Sequence, residues 1–445
     1  MTFKNRLRST MLNAMLSERL QQIRRALADL RRKVTGRPHT VYVFVELDDP
    51  YSYLLCNYLK EFRDYYAIDL RMCLTEALAD EFRPAPQLLP EYVRVDCRRL
   101  ADELGIPFLD RGATPPVEHR RALLAALVAT AADADHADNV VQAITAWWRG
   151  DAESVARWAA APGDIDAAEK MLANNQQLLT DLGHYNTATL HYGGEWYWGV
   201  DRLHYLIDRL NKRGAAKQPG LAPRIASIRQ VMQPNLPIKP PAAGSNVPEL
   251  EFFHSFRSPY SYLALERIFR IADAFGVRCN IRPVLPMVMR GMRVPKAKLL
   301  YIVRDASREA RRNDVPFGRM ADPVGVGVER LMAVFQYAKS QNKEREFVVQ
   351  AGRAIWSNAV DVTGDEGLRK ITAKVGLFWP DVIESLGDDS WRPLAEENRA
   401  VMMRAGSWGV PTVRIGDWVT WGQDRDWLVA RHLEELCDSG EGILI

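Results

Sequence analysis

The sequence lacks the cysteine patterns that are typical of metal-binding proteins and of dithiol redox proteins. Its 445 residues include only five cysteines, and no two of them form a Cys-x-x-Cys pair. The sequence therefore indicates neither a metal site nor a dithiol redox centre. Scattered single cysteines are typical of a reducing compartment, and we expect a cytoplasmic protein. The five cysteines are Cys56, Cys73, Cys97, Cys279 and Cys437.

Strong net charge and long apolar runs are also missing. The formal net charge is only +3 at neutral pH, which gives no reason to expect nucleic-acid binding. No apolar run approaches the ~20 residues that a transmembrane helix needs. The composition, 47% hydrophobic and 26% charged, is ordinary for a globular protein. A chain of 445 residues is long enough for two or three domains.

The segment 1–36 differs from the rest because it combines an apolar stripe at helical spacing with many basic residues. It contains no uninterrupted apolar core, so it is not a secretory signal. It predicts a basic amphipathic helix that ends before Gly36 and Pro38. Three interpretations stay open: docking on its own protein or on a second subunit in a homodimer, contact with an anionic membrane surface through residues 4–34, or an organelle transit segment. The apolar stripe consists of Leu12, Leu16, Leu20, Ile23, Leu27, Leu30 and Val34.

The most informative stretch begins with the apolar run 250–256, which predicts a short buried strand. The following residues 263–274 have apolar side chains at helical spacing and predict a helix. Ser258 lies between the two and is a good helix N-cap, and Pro259 suits the first helical position. Free backbone N–H groups and the helix dipole at such a junction favour a bound anion.

The chain also contains a diverged internal repeat. The strand and turn ending in Asp49 and Pro50 match those around Ser258 and Pro259, at an offset of 259 − 50 = 209. Near the end of each copy, Trp198-Gly-Val-Asp-Arg matches Trp421-Gly-Gln-Asp-Arg at 421 − 198 = 223. Two large domains of one fold explain this pattern. In each copy the sequence predicts a strand, a helix and a second strand. A mainly helical stretch (296–404 in the second copy), a hairpin and a final helix follow.

The segment 250–266, together with Trp408-Gly-Val-Pro-Thr412 and Trp421-Gly-Gln-Asp-Arg425, resembles the DsbA-like family of 2-hydroxychromene-2-carboxylate isomerases and kappa-class glutathione transferases. The resemblance covers residues 248–436. It implies an α/β fold of two tandem thioredoxin-like domains, each with a helical insertion. The expected boundaries are a helix at 1–36, a degenerate domain at 38–212, a linker at 213–247 and an isomerase or transferase domain at 248–437.

The resemblance also implies a glutathione site in the second domain. Ser258 would donate a hydrogen bond to the glutathione thiolate, which lowers the thiol pKa. Val410, before a cis Pro411, would pair with the cysteinyl part of glutathione, and Gln423 and Asp424 would hold its glutamyl end. Three of these residues also have a purely structural interpretation: Ser258 and Asp424 as helix caps, and Pro411 as a turn proline.

The expected reaction follows from the same resemblance. The glutathione sulfur would add to an unsaturated, aromatic-derived carboxylate, allow bond rotation and leave again, without net redox change. The family's Gly-Asn-x-Pro-Pro segment is missing after the second strand, and Arg290 or Arg293 is the candidate replacement for its asparagine. This departure leaves the substrate open. A non-catalytic thioredoxin-fold scaffold or binding protein is the alternative.

The first copy has lost the residues that this site requires. Asp49 stands in place of the serine, Ala188 in place of the proline and Val200 in place of the glutamine, although Asp201 remains. Aspartate caps a helix as well as serine does, so the fold tolerates the exchange. A carboxylate would repel a thiolate, however. We therefore interpret the first domain as a structural or regulatory pseudo-domain.

Overall fold

The computed structural model describes residues 9–10, 13–14, 16–110, 117–161, 163–218, 223–238 and 248–438. Lys4, Arg6, Arg8 and Leu12 of the predicted basic helix, and parts of the predicted linker, lie outside these residues. The chain divides into two compact units: an N-terminal unit of Gln22–Val231, and a C-terminal unit of Met232–Ile445 that also includes Met1–Gln21. The domain boundaries predicted from the sequence stay a prediction.

Each unit contains one four-stranded sheet, and the two sheets have the same strand order. The strands of the N-terminal unit follow the order β2-β1-β3-β4, and those of the C-terminal unit the order β6-β5-β7-β8. In each unit, the first two strands along the sequence pair in parallel, and the last two form an antiparallel hairpin. The strands are β1 (His39–Val45), β2 (Ile68–Leu74), β3 (Thr189–Tyr192), β4 (Glu195–Trp198), β5 (Leu250–His254), β6 (Cys279–Pro283), β7 (Thr412–Ile415) and β8 (Trp418–Trp421).

Helices fill the long connection between the parallel strands and the hairpin in both units. The helices preceding β5 are α1 (Glu18–Val34), α2 (Pro50–Tyr65), α3 (Leu89–Leu104), α4 (Val117–Ala129), α5 (His136–Arg149), α6 (Ala152–Ala159), α7 (Ile165–Asp181), α8 (Leu203–Lys212) and α9 (Ile228–Val231). Those after it are α10 (Pro259–Phe275), α11 (Lys296–Arg312), α12 (Val326–Ser340), α13 (Glu344–Trp356), α14 (Asp365–Val375), α15 (Trp379–Ser385), α16 (Trp391–Arg404) and α17 (Asp426–Asp438). The predicted helical stretch 296–404 and the hairpin about Gly416 are confirmed. No described helix has the length and apolarity to cross a bilayer.

The central strand β5 and the helix after it follow from their local sequence. All five residues of β5 are buried because the strand lies between β6 and β7 in its sheet. Helix α10 begins with Pro259 and ends at Phe275, and it is capped by Gly276, whose φ of +67° suits glycine. Phe252, Leu263 and Ile268 pack in the core of the C-terminal unit.

The same side-chain hydrogen bonds recur in the two units at the sequence offset of the repeat. Tyr51 donates to Asp96 at 2.7 Å, and Tyr260, at 260 − 51 = 209, donates to Asp305 at 2.9 Å, where 305 − 96 = 209. The hydroxyls of Ser52 and Ser261 accept the backbone N–H groups of Glu46 and Ser255, again 209 residues apart. Pro50 and Pro259 therefore begin equivalent helices, as the sequence predicts.

Candidate functional site

Ser258 occupies the junction between β5 and α10 and caps the helix. Its backbone is extended, with φ −92° and ψ 115°, and its hydroxyl accepts the N–H of Ser261 at 3.1 Å. Ser258 is partly exposed, whereas Pro259 behind it is buried. The predicted N-cap is confirmed. The first turn of α10 therefore directs its N–H groups and the positive end of its dipole to an accessible position.

The loop before β7 faces this helix start. The Val410–Pro411 peptide bond is cis and the only cis bond within the described part of the chain, so the predicted cis bond there and the predicted trans bond before Ala188 are both confirmed. Ser258 Oγ lies 3.5 Å from the carbonyl oxygen of Val410, to which it donates a long hydrogen bond. Val410 is partly exposed and Pro411 is buried. The structure therefore brings Ser258 and Val410 together, as the sequence predicts.

Hydrogen bonds fix the backbone conformation of this loop. The hydroxyl of Thr412 donates to the carbonyl oxygen of Gly409 at 2.7 Å, and the N–H of Gly422 donates to that of Pro411 at 3.0 Å. A side chain at Gly409 is excluded, because a Cβ there would lie 2.7 Å from Nε1 of Trp421. Hydrogen bonds to the loop backbone and close packing against Trp421 of the hairpin therefore fix the conformation of the loop.

Gln423 and Asp424 follow the hairpin but differ in accessibility. Gln423 is buried, and its amide is engaged on both sides: Nε2 donates to Glu309 at 2.9 Å, and Oε1 accepts Arg267 at 2.7 Å. The side chain of Asp424 remains 23% exposed, next to Arg425 at 3.5 Å. Of the two predicted glutamyl-binding side chains, only that of Asp424 is therefore accessible. The predicted binding roles of both residues stay predictions.

Gln423 belongs to a buried polar cluster that the sequence reasoning missed. Arg267 on α10 also donates to the backbone carbonyl of Gln423, and its Nε lies 3.4 Å from the carboxylate of Asp426. Burial raises the pKa of Asp426, and the nearby Arg267 charge opposes that shift. Glu309 on α11 is almost completely buried. We call Arg267, Glu309, Gln423 and Asp426 the buried cluster.

A signal for this cluster was present in the internal repeat. The residues at the equivalent positions of the N-terminal unit are all buried and provide no charge, so the polar cluster is specific to the C-terminal unit. Buried ion pairs contribute little net stability, which suggests a role other than holding the fold together. The equivalent residues are Tyr58 (267 − 209), Leu100 (309 − 209), Val200 (423 − 223) and Leu203 (426 − 223).

Three arginines are candidates to supply positive charge to the predicted glutathione site: Arg257, next to Ser258, and Arg290 and Arg293, after β6. Arg257 forms a two-pronged ion pair with Asp322, at 2.7 and 2.8 Å, so its charge is balanced. Arg290 ends a 3₁₀ turn after β6, and its Nε is buried without a hydrogen-bond partner in the described structure. Burial lowers the pKa of Arg290, and the Arg399 charge adds to this effect. Arg293 is exposed. Of the two candidates to replace the missing asparagine, Arg290 has the unsatisfied donor.

The N-terminal unit fills the equivalent position with its own side chains. The Asp49 carboxylate accepts the N–H groups of Tyr51 and Ser52 at 3.1 and 3.2 Å. It also accepts the hydroxyls of Ser52 and Thr187, each at 2.8 Å. Thr187 is the counterpart of Val410, since 187 + 223 = 410. Ser258 and Val410 share one long hydrogen bond of 3.5 Å in the C-terminal unit. At the equivalent position, Asp49 and Thr187 share a shorter hydrogen bond of 2.8 Å, which joins the loop to the helix start.

A second carboxylate, Glu46, lies buried beside this cap and makes the stability of the N-terminal unit pH-dependent. Burial raises the pKa of Glu46 to about 8, and the charges of Asp49 and Asp48 add to the shift. Between its ordinary pKa of 4.5 and about 8, the folded protein retains a proton that the unfolded chain releases. Stability gained from this group is therefore present at low pH and lost as the pH rises through that window.

We expect Glu46→Gln to remove this dependence. The free energy of unfolding of the wild type should fall by on the order of 5 kcal/mol across the window, relative to the variant, because each pKa unit corresponds to about 1.4 kcal/mol. Urea denaturation at both ends of the window measures the difference. An identical pH dependence in the two proteins would show that Glu46 titrates normally.

Residues 249–434 match the family model of the DSBA-like thioredoxin domain. The 2-hydroxychromene-2-carboxylate isomerase of Pseudomonas putida is 24% identical over 196 residues, which cover 42% of this chain and 95% of that protein. The isomerase of Sphingobium xenophagum is 26% identical, over 40% of this chain and 93% of that protein. Human glutathione S-transferase kappa 1 is 24% identical, over 42% of this chain and 91% of that protein.

Solved structures are similar over a comparable share of the chain. A structure of 2-hydroxychromene-2-carboxylate isomerase is 22% identical with a TM-score of 0.38, and covers 43% of this chain and 96% of its own. The cytosolic disulfide reductase DsbM from Pseudomonas aeruginosa with GSH is 16% identical with a TM-score of 0.32. The match covers 42% of this chain and 98% of that structure's chain.

Proposed function

We propose that the domain containing residues 249–434 is a glutathione-dependent isomerase or transferase, because these residues match the DSBA-like thioredoxin domain and are similar to isomerases and a glutathione transferase. The observation that supports this most directly is that two partly exposed residues, Ser258 and Val410, meet at the helix start, with Ser258 Oγ 3.5 Å from the carbonyl oxygen of Val410. A hydroxyl donor, a helix N-terminus and the backbone carbonyl of a partly exposed residue meet there. These groups suit a cysteinyl thiolate with its backbone.

In this proposal the Ser258 hydroxyl exchanges its long bond to Val410 for a charge-assisted bond to the glutathione sulfur. That bond is stronger than the one it replaces because its acceptor is ionised. The helix dipole adds to the effect, and both lower the pKa of the bound thiol. Asp424 and the backbone around it receive the glutamyl end, and Arg290 takes a carboxylate in place of the missing asparagine.

The proposed reaction is an isomerisation without net redox change. The thiolate adds to an unsaturated, aromatic-derived carboxylate, one carbon–carbon bond becomes single and rotates, and elimination returns the same thiolate. The sulfur keeps its oxidation state, so no second thiol is required. The described cysteines agree with this: all five are free, and four of them are buried. A reducing, cytoplasmic location is part of the proposal.

We propose that the N-terminal unit is a diverged copy that does not bind glutathione. Its sheet has the same strand order as that of the C-terminal unit, and it retains the repeated tyrosine and serine hydrogen bonds. Asp49, however, satisfies the helix start internally, and the short contact with Thr187 occupies the position of a thiolate. Its role would be structural or regulatory.

A non-catalytic scaffold or binding protein is the competing proposal. The engaged amide of Gln423 favours it, because that side chain is not available to a ligand in the described structure. The two proposals differ in whether glutathione binds and whether it accelerates a reaction.

Calorimetric titration with glutathione, followed by an isomerisation assay on 2-hydroxychromene-2-carboxylate, tests the choice. The enzyme proposal predicts binding of one glutathione per chain, since only the C-terminal site is open, and turnover that requires glutathione. Absence of binding would favour the scaffold. Binding of two glutathiones per chain would contradict the assignment of the N-terminal unit.

A further inference from the structure

Helix α1 exposes the part of the apolar stripe that it contains, from Leu20 to Val34. None of its residues is buried, and the exposed fraction is lowest at Leu20 and highest at Val34. These side chains recur at alternating spacings of three and four residues, which places them on one face of a helix. The exposed fractions are 37% for Leu20, 44% for Ile23, 60% for Leu27, 57% for Leu30 and 78% for Val34.

The opposite, polar face of α1 packs against other parts of the N-terminal unit, to which residues 22–34 of the helix belong. Arg25 forms a two-pronged ion pair with Glu195, with both distances at 2.8 Å. Asp29, one turn later, lies 3.5 Å from Arg213, and its carboxylate is only 11% exposed. The charges of Arg32 and Lys33 also help to lower the pKa of Asp29, against the opposing effect of burial. The helix is thus held by its charged face, and its apolar face is turned outward, the reverse of an ordinary surface helix.

Basic side chains border the apolar stripe on both sides. At 100° per residue, Arg24 and Arg31 lie along one flank, and Arg19 and Lys33 along the other. All four are exposed. The two acidic residues of the helix are Glu18, in its first turn, and Asp29, which faces the N-terminal unit. The outward surface therefore combines an apolar centre with positive edges.

This charge distribution decides between the candidate occupants of the surface. A second copy of α1 packed on the stripe would place basic flanks beside basic flanks, which is unfavourable in paired helices. An anionic bilayer complements the surface throughout, because the apolar side chains enter the acyl boundary and the long basic side chains reach the headgroups. We propose that the outward face of α1, from Leu20 to Val34, docks on an anionic membrane surface.

Co-sedimentation with lipid vesicles tests this proposal on the full chain. We expect the wild type to bind vesicles that contain phosphatidylglycerol, to bind pure phosphatidylcholine vesicles far more weakly, and to dissociate as salt is added. Arg24→Gln with Arg31→Gln should reduce the affinity by about tenfold or more, from the contribution of each basic residue near a charged bilayer. Leu27→Ser with Leu30→Ser should reduce it by at least about tenfold, because both side chains would insert.

The matched control removes two basic residues elsewhere. Lys60 and Lys370 are exposed on other helices, so Lys60→Gln with Lys370→Gln lowers the net charge by the same amount, and we expect its vesicle binding to stay close to that of the wild type. All substituted side chains are exposed, and unchanged thermal melting would confirm intact folding. Equal binding to neutral and anionic vesicles, or an equal loss in the control, would overturn the proposal. So would a dimer in sedimentation that Leu27→Ser with Leu30→Ser dissociates, because the stripe would then bind a second copy.

Discussion

Replacing Ser258 by alanine should raise the pKa of enzyme-bound glutathione by about one to two units. The thiolate would lose a charge-assisted hydrogen bond of about 1.5–3 kcal/mol, and one pKa unit corresponds to about 1.4 kcal/mol. The fold should persist, since the lost N-cap oxygen costs only about 1 kcal/mol. Turnover near neutral pH should fall by about tenfold or more, because less of the bound thiol is ionised.

Ultraviolet absorbance of the thiolate against pH measures this shift directly. Asp49→Ala is the matched control, because it removes the equivalent cap of the N-terminal unit. We expect it to leave the thiol pKa and the turnover unchanged. Ser258→Cys should preserve the cap geometry but place a competing thiol in the site, so turnover should again fall. If Ser258→Ala bound glutathione with the wild-type thiol pKa, Ser258 would be only a helix cap and the scaffold proposal would gain.

The second large effect concerns the buried cluster. Arg267→Tyr introduces the N-terminal unit's residue at one position and leaves the buried Asp426 carboxylate without its cation. We expect a loss of about 3–5 kcal/mol in the free energy of unfolding. Introducing all four counterparts together should recover part of this loss, because replacing the members of a buried ionic group together by apolar residues is often neutral or stabilising. The complete variant is Arg267→Tyr, Glu309→Leu, Gln423→Val and Asp426→Leu.

Stability and ligand affinity should respond differently in these variants. Glu309 is 1% exposed and does not reach a ligand, so any effect of the cluster on binding acts through the position of the segment containing Asp424. Chemical denaturation should show recovered stability in the fourfold variant, whereas calorimetry should show weakened glutathione binding in both variants. Binding that recovers together with stability would mean that the cluster only maintains the fold.

Several parts of the molecule could be predicted because their physical cause is local. The Ser258 cap follows from a polar residue before a proline at a helix start, and the hairpin from two short apolar strands about Gly416-Asp417. The prediction that the two units are copies of one fold rested on motifs at offsets of 209 and 223 residues, and the recurring tyrosine bonds agree with it. The resemblance, rather than the local pattern, suggested the cis bond before Pro411.

The sequence by itself determined the strand and helix order, the position of Ser258 at a helix start and the absence of a dithiol. These features depend on neighbouring residues or on simple presence and absence. Only the tertiary structure decided that Gln423 faces inward, that Arg257 is balanced by Asp322, and that α1 turns its polar face to the N-terminal unit. Such partners are separated by up to 170 residues, as in Arg25 and Glu195. A helical pattern shows that two faces differ, but which face is covered depends on the charges that the rest of the chain brings against it.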